Sequence, residues 1–237
     1  MLPTGLLQSA AAEYGISLSE EMLRRFSDYA SLLVAWNENV NLTAITDGEG
    51  IAVRHFLDSL LLLPALAPKE GASLIDVGCG AGFPSLPLKI ARGDLRVTLL
   101  DSLGKRVRFL EELCGRLALP AACFHLRAEE GAKRPELREA FDYATARAVA
   151  ALPALCELCL PFVSVGGAFA AMKGPGAPEE LEAAGGAIRL LGGEVEGVRE
   201  FTLPDESRRN VILIRKISHT PPKYPRAFAK ISKSPLR

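Results

Sequence analysis

Eleven residues constrain this chain's architecture more than any other stretch: Leu74-Ile75-Asp76-Val77-Gly78-Cys79-Gly80-Ala81-Gly82-Phe83-Pro84. An apolar run of strand composition passes into a turn with glycine at every second position, then into a proline suited to the first turn of a helix. Gly78, Gly80 and Gly82 have no Cβ, so the backbone can turn sharply and come close to a ligand that faces the free N–H groups of the following helix. A dinucleotide fingerprint needs Gly-x-Gly-x-x-Gly or Ala. Its last position here is Phe83, too bulky for close packing of helix on strand under a pyrophosphate, which disfavours a nicotinamide cofactor.

The turn opens an alternation of strand and helix. Strands are expected at about 73–77, 96–100, 122–126, 143–146 and 168–172, and helices at about 84–91, 105–117, 151–162 and 178–191. Gly166-Gly167 is read as the turn into the fifth strand, and two final strands, near 194–203 and 210–216, follow one another without a helix. Such an order implies an α/β fold with a mostly parallel seven-stranded sheet and an antiparallel edge. Apolar spacing through 19–33 and again around 55–63 predicts a helical preface. The chain therefore divides into a helical extension (1–70), an α/β core (71–217) and an extended C-terminal arm (218–237).

At 237 residues and 49% hydrophobic content the chain can bury a full core, and it is expected to act as a soluble monomer. No apolar run reaches the length of a membrane span and no signal-peptide pattern opens the chain, so a cytoplasmic location is expected, with no membrane partner. The five cysteines lie scattered in apolar segments, which suits reduced, buried thiols. Cys156-x-x-Cys159 has no second ligand pair at metal spacing, so no metal is expected. The zero formal net charge conceals an asymmetry. From Ser207 onward there are nine Lys or Arg and no acid, leaving 19 basic against 28 acidic residues before it. A basic tail on an acidic body is either a phosphate-binding field for nucleic acid or a solubilising appendage.

Ligands of open α/β sheets lie beyond the carboxyl ends of the strands. Asp101 ends the second strand, nineteen positions after Gly82, where a carboxylate can accept from ribose hydroxyls or cap the next helix. After the third strand comes Arg127-Ala128-Glu129. Small Ala128 leaves room for an adenine edge, and Glu129 is either a partner for its exocyclic amine or a solvated helix start. Arg147 follows the fourth strand in an apolar setting, an expensive place for a charge that meets no anion, and Lys173 ends the fifth. His55 reads as a core or capping histidine, and Trp36 and Phe56 as packing groups.

The Gly-x-Gly-x-Gly turn after an acid is similar to motif I of the class I S-adenosylmethionine methyltransferases. The chain as a whole resembles the RsmG family, formerly glucose-inhibited division protein B. The resemblance runs through Trp36-Asn37, Asn41-Leu42-Thr43-Ala44-Ile45, His55-Phe56-Leu57-Asp58-Ser59-Leu60, Asp76 to Pro84, Leu100-Asp101-Ser102 with Lys105-Arg106, Arg127-Ala128-Glu129, Arg147-Ala148-Val149-Ala150, Met172-Lys173-Gly174 and Tyr224-Pro225-Arg226. It implies a Rossmann-like class I fold and S-adenosylmethionine-dependent methylation of guanine N7 in small-subunit (16S) ribosomal RNA. It also implies a cofactor site drawn from Gly78, Gly80, Phe83, Asp101, Ala128, Glu129 and Arg147. Guanine N7 carries an available lone pair, so no general base is expected. Arg147, Lys173, Arg209 and Arg226 become candidate RNA contacts that position rather than react. Two departures stand out: Ser85 where the family has glycine, and Ala227-Phe228-Ala229-Lys230-Ile231 where it has a glycine and a proline. Rival readings are a nicotinamide-dependent oxidoreductase, an RNA-binding scaffold without activity, and a small-molecule methyltransferase. The first meets the obstacle of Phe83, the second the intact glycine turn, and the third leaves the basic tail unexplained.

Overall fold

The computed structural model describes residues 1–236. Two helices, α1 (Thr4–Glu13) and α2 (Glu20–Val40), precede the sheet. Ser19 caps α2 by accepting from the Met22 amide. A wide π-type turn spans Ile51–Leu57 and runs through Asp58–Leu60 into Leu62–Leu66. Then come β1 (Ser73–Val77), α3 (Ser85–Ala91), β2 (Arg96–Asp101), α4 (Gly104–Arg116), β3 (Ala121–His125), a single helical turn Ala128–Gly131, and β4 (Phe141–Arg147). The chain continues through α5 (Leu152–Cys159), β5 (Val163–Lys173), α6 (Ala177–Leu190), β6 (Gly193–Thr202), β7 (Arg208–Lys216) and α7 (Phe228–Lys233). The seven strands form one sheet in the order β3-β2-β1-β4-β5-β7-β6. All neighbours are parallel except β5 with β7 and β7 with β6, the antiparallel edge that two consecutive strands without a helix require.

Side-chain alternation divides the core into two layers. Leu74, Ala170, Met172, Val211 and Leu213 point to one face, and Ile75, Phe169, Ala171, Ile212 and Ile214 to the other. The first face is covered by α3 and α4 and, over its other half, by residues of the first 66. Phe26, Tyr29, Leu33 and Phe56 are fully buried there. Burying each contributes roughly 1.5–3 kcal/mol, so the helical preface shares the sheet's core. The second face is covered by α5, α6 and the C-terminal tail. No helix among the described residues is long and apolar enough to cross a membrane.

Several expectations are corrected. Helix α1 was not anticipated, because it buries Leu7, Ala10 and Ala11, a face made largely of alanine that gives little apolar contrast. The helix expected at 19–33 extends to Val40, and that expected around 55–63 is broken into wide and ordinary turns. Gly166-Gly167 lies inside β5, where the pairing with β4 shifts register. A Cβ on Gly167 would collide with the Asp142 carbonyl, so the glycine serves close approach of two backbones. The tail is not an extended arm. Tyr224 and Ile231 are buried, α7 closes over the second face, and Arg138 donates to the carbonyls of Thr220 (2.9 Å) and Tyr224 (3.0 Å).

Candidate active site

The glycine turn is held from behind. The Gly78 and Cys79 amides both donate to the Leu100 carbonyl of β2 (2.8 and 3.2 Å), and the buried Tyr29 hydroxyl donates to Ala81. Gly78, Gly80 and Gly82 all have positive φ (74°, 59° and 93°), which β-carbon-bearing residues adopt only at a cost. Their surroundings differ. A Cβ on Gly82 would strike Leu86 and the Tyr29 hydroxyl at 2.7 Å, whereas nothing lies within 4 Å of one on Gly80. Gly82 is therefore a packing position, and Gly80 presents open backbone. Beneath the turn Asp76 is wholly buried: Oδ2 accepts from the Ser85 amide at 3.1 Å, and Oδ1 has no partner. Burial pushes its carboxyl up to about 7.

Asp101 reaches the same turn from β2. Its Oδ2 accepts from the Gly80 amide and its Oδ1 from the Leu103 amide, both at 2.9 Å, with Arg106 at 3.6 Å. The carboxylate thus ties the open glycine to the start of α4, and the helix cap itself is Leu103. At the next strand end Glu129 is buried and accepts from Arg127 Nε at 2.8 Å, while the Arg127 guanidinium lies 4.9 Å from the centre of the Phe228 ring. Gly78, Gly80, Asp101, Ala128 and Glu129 accordingly line up along the carboxyl ends of β1, β2 and β3.

Arg147 and Phe83 belong to a second group. The Arg147 guanidinium sits 4.9 Å from the centre of the Phe83 ring, donates to Asp58 Oδ2 at 2.9 Å and lies 3.4 Å from His55 Nδ1. Arg209 from β7 donates to the other oxygen of Asp58 at 3.1 Å. Burial pushes the Asp58 carboxyl up, a rise that the two guanidiniums oppose only in part. The His55 ring stacks on Phe83 with centres 4.5 Å apart and shares a 2.7 Å hydrogen bond with the Thr43 hydroxyl. Burial, and then Arg147, lower its pKa to about 4, so it stays neutral. Thr43 is placed by Asn37, whose side-chain oxygen accepts from the Leu42 and Thr43 amides (2.6 and 2.9 Å) where α2 ends at left-handed Asn41. His55, Asp58, Arg147 and Arg209, with Lys173, Glu180 and Asn210, line a cavity of about 450 Å³ at the carboxyl ends of β4 and β5 and the start of β7.

Of the proposed RNA contacts, Arg147, Lys173 and Arg209 line this cavity. Arg226 does not: it makes a two-toothed ion pair, 2.6 Å at its shortest, with fully buried Glu157 of α5. Its guanidinium, held by an internal carboxylate, anchors the tail. Lys173 is also engaged, donating to the Ala150 carbonyl and pairing with Glu180, each at 2.7 Å. Asp58 and Glu180 were missed. Asp58 left a signal: it is the lone acid in the apolar stretch Phe56 to Leu63, a placement that demands a partner. Glu180 left none, sitting among the acids of an ordinary helix start.

Comparison with known proteins agrees with this geometry. A family model described as rRNA small subunit methyltransferase G, GidB, matches residues 22–212. The chain is 53% identical over 226 residues to a ribosomal RNA small subunit methyltransferase G of Halalkalibacterium halodurans, covering 94% of this chain and 95% of that one. A protein of the same name from Clostridium beijerinckii is 48% identical over 234 residues, with 98% of each covered. Among solved structures, a SAM-dependent O-methyltransferase from Thermotoga maritima superimposes with a TM-score of 0.53 at 18% identity, over 79% of this chain and 72% of that one, a likeness of fold. The glycine turn, the strand order and these matches lead to one conclusion: the chain belongs to the rRNA small subunit methyltransferase G family, GidB.

Proposed function

We propose that the chain methylates guanine N7 in small-subunit ribosomal RNA, with S-adenosylmethionine as methyl donor. Support for the donor at the glycine turn comes from the open backbone of Gly80, the orphaned Asp76 oxygen beneath it and the carboxylate of Asp101 beside it. Gly78, Gly80, Asp101 and the Ala128-Glu129 pair would hold it, with Phe83 and Arg147 facing the acceptor side. When bound, the donor supplies an electrophilic methyl group: the N7 lone pair forms the new N–C bond, the S–C bond electrons return to sulfur, and the positive charge moves to the purine.

The observation that carries this reading is the state of the groups around the cavity. Asp58 is occupied by two arginines, Glu180 by Lys173, and burial beside Arg147 lowers the basicity of His55. Methylation of an exocyclic amine or a hydroxyl releases a proton that a nearby base must take, whereas N7 has none to lose. What the cavity offers is one excess positive charge on the Arg147–Asp58–Arg209 cluster, suited to hold an anionic backbone while a base enters. Exposed Lys223, Lys230 and Lys233 on the tail add further positive charge that phosphates could meet. The test is to map N7-methylguanosine in small-subunit RNA from cells with and without the gene for this chain. Loss of one such mark in the deletion is the expected result, and an unchanged map would refute the assignment.

A further inference from the structure

Residues 148–152 form a short wall between the glycine turn and the cavity. Ala148 is left-handed (φ 56°), and Val149 lies so close to Gly78 that a Cβ there would come within 2.8 Å of Val149 Cγ2. A left-handed alanine is held only by surrounding contacts. Besides Val149 against Gly78, the segment is held by one ion pair. Lys173 at the end of β5 donates to the Ala150 carbonyl, Glu180 of α6 accepts from the Leu152 amide, and the two side chains meet each other, all at 2.7 Å. A carbonyl and an amide on either side of Ala151 are thereby gripped by opposite charges. Lys173 is only 10% exposed, so its charge is spent on this grip.

We propose that Lys173 and Glu180 are positioning residues for methyl transfer: together they latch the 148–152 wall, and the wall fixes how the donor at the glycine turn and the base in the cavity approach each other. The proposal rests on the function assigned above. It gives Lys173 a role other than phosphate contact, and gives Glu180, an acid beside an RNA-binding cavity, a reason to be there.

Three variants of the full chain test it. In Glu180→Ala the turnover number on small subunits lacking the mark should fall about 10- to 100-fold, the loss typical of misplaced reacting groups, while RNA affinity stays within about two-fold. Hydrogen exchange at the Leu152 amide should accelerate in the same variant, with the exchange of β4 and β5 unchanged. Glu180→Gln keeps an oxygen that accepts from Leu152, and should restore turnover to within about three-fold of the parent. Lys173→Met should lower turnover without changing the salt dependence of RNA binding. The latch is overturned if Leu152 exchange and turnover in Glu180→Ala match the parent. It is also overturned if Lys173→Met flattens the RNA salt slope by about 0.7 to 0.9, the signature of one lost phosphate contact, with Leu152 exchange unaltered. Failure of the parent to methylate RNA would refute the assigned function instead, and the exchange measurements would still decide whether the latch exists.

Discussion

A carboxylate that is 4% exposed and carries two guanidiniums cannot be removed by itself. Asp58→Ala leaves Arg147 and Arg209 facing each other without a counter-charge, and breaking such a partly buried arrangement costs about 3–5 kcal/mol. Urea unfolding of parent and variant should show a loss of that order, together with collapse of methyl transfer. A second residue-scale consequence concerns pH. The folded protein holds the Asp76 proton up to about 7 against an ordinary 3.8, so this group's stabilising contribution is complete below about pH 4 and is lost as pH rises through 7. His55, lowered from 6.5 to about 4, acts in the opposite sense: its contribution is present above pH 6.5 and is lost as pH falls through 4. Asp76→Asn removes only the first dependence. The variant should therefore gain at least ~1 kcal/mol on the parent between pH 5 and 8 in thermal unfolding without cofactor. Equal pH profiles would contradict the buried carboxyl with its unpartnered Oδ1. At this scale the sequence was legible where chemistry is unusual: Asp101, Arg147 and Lys173 do stand at strand ends. It was silent on partners, because Asp58 and Glu180 reach the site only through tertiary packing.

At the scale of elements the three glycines separate. Gly80→Ala puts a methyl group into open space at a positive φ, so its cost is backbone strain of roughly 1–2 kcal/mol, felt together with loss of the open surface offered to the cofactor. Gly82→Ala meets the same strain and also collides with Leu86 and Tyr29, which are themselves buried. Calorimetry and thermal unfolding should show Gly80→Ala folded with weakened S-adenosylmethionine binding, and Gly82→Ala the less stable of the two. Unweakened binding by a folded Gly80→Ala would place the cofactor elsewhere. Strand and helix order was readable because period 2 and period 3.6 are local properties of the chain. The tail was not: Phe228–Lys233 becomes a helix because Ile231 is buried on the second face and Arg226 finds Glu157, partners 69 residues away in sequence for the latter. The glycine pair in β5 misled for a related reason, since close approach to Asp142 rather than a turn explains Gly167.

For the whole molecule, one sheet brings two features to the same side: the glycine turn over β1 to β3, and the cationic cavity over β4, β5 and β7. The helical preface belongs to this unit, since it supplies His55, Asp58 and Tyr29 to the site and its apolar side chains to the core. Deleting the tail is therefore a poor test of RNA binding, because it also removes Tyr224, Arg226 and Ile231 from their buried partners. Replacing exposed Lys223, Lys230 and Lys233 with glutamine leaves those anchors in place. That variant should flatten the dependence of RNA affinity on log salt by about 2 to 3 and leave cofactor affinity unchanged, as expected for phosphate contacts that release counterions. An unchanged slope would make the tail charges a device for solubility.

The central claim is that a donor held at the glycine turn passes its methyl group to a ring nitrogen that needs no base. The most direct measurement is transfer of labelled methyl from S-adenosylmethionine to purified small subunits lacking the mark, followed by chain cleavage selective for N7-methylguanosine. The account predicts one label per subunit, released at a single guanosine. Label on an exocyclic nitrogen, an oxygen or a small molecule, or no transfer by the folded protein, would contradict it.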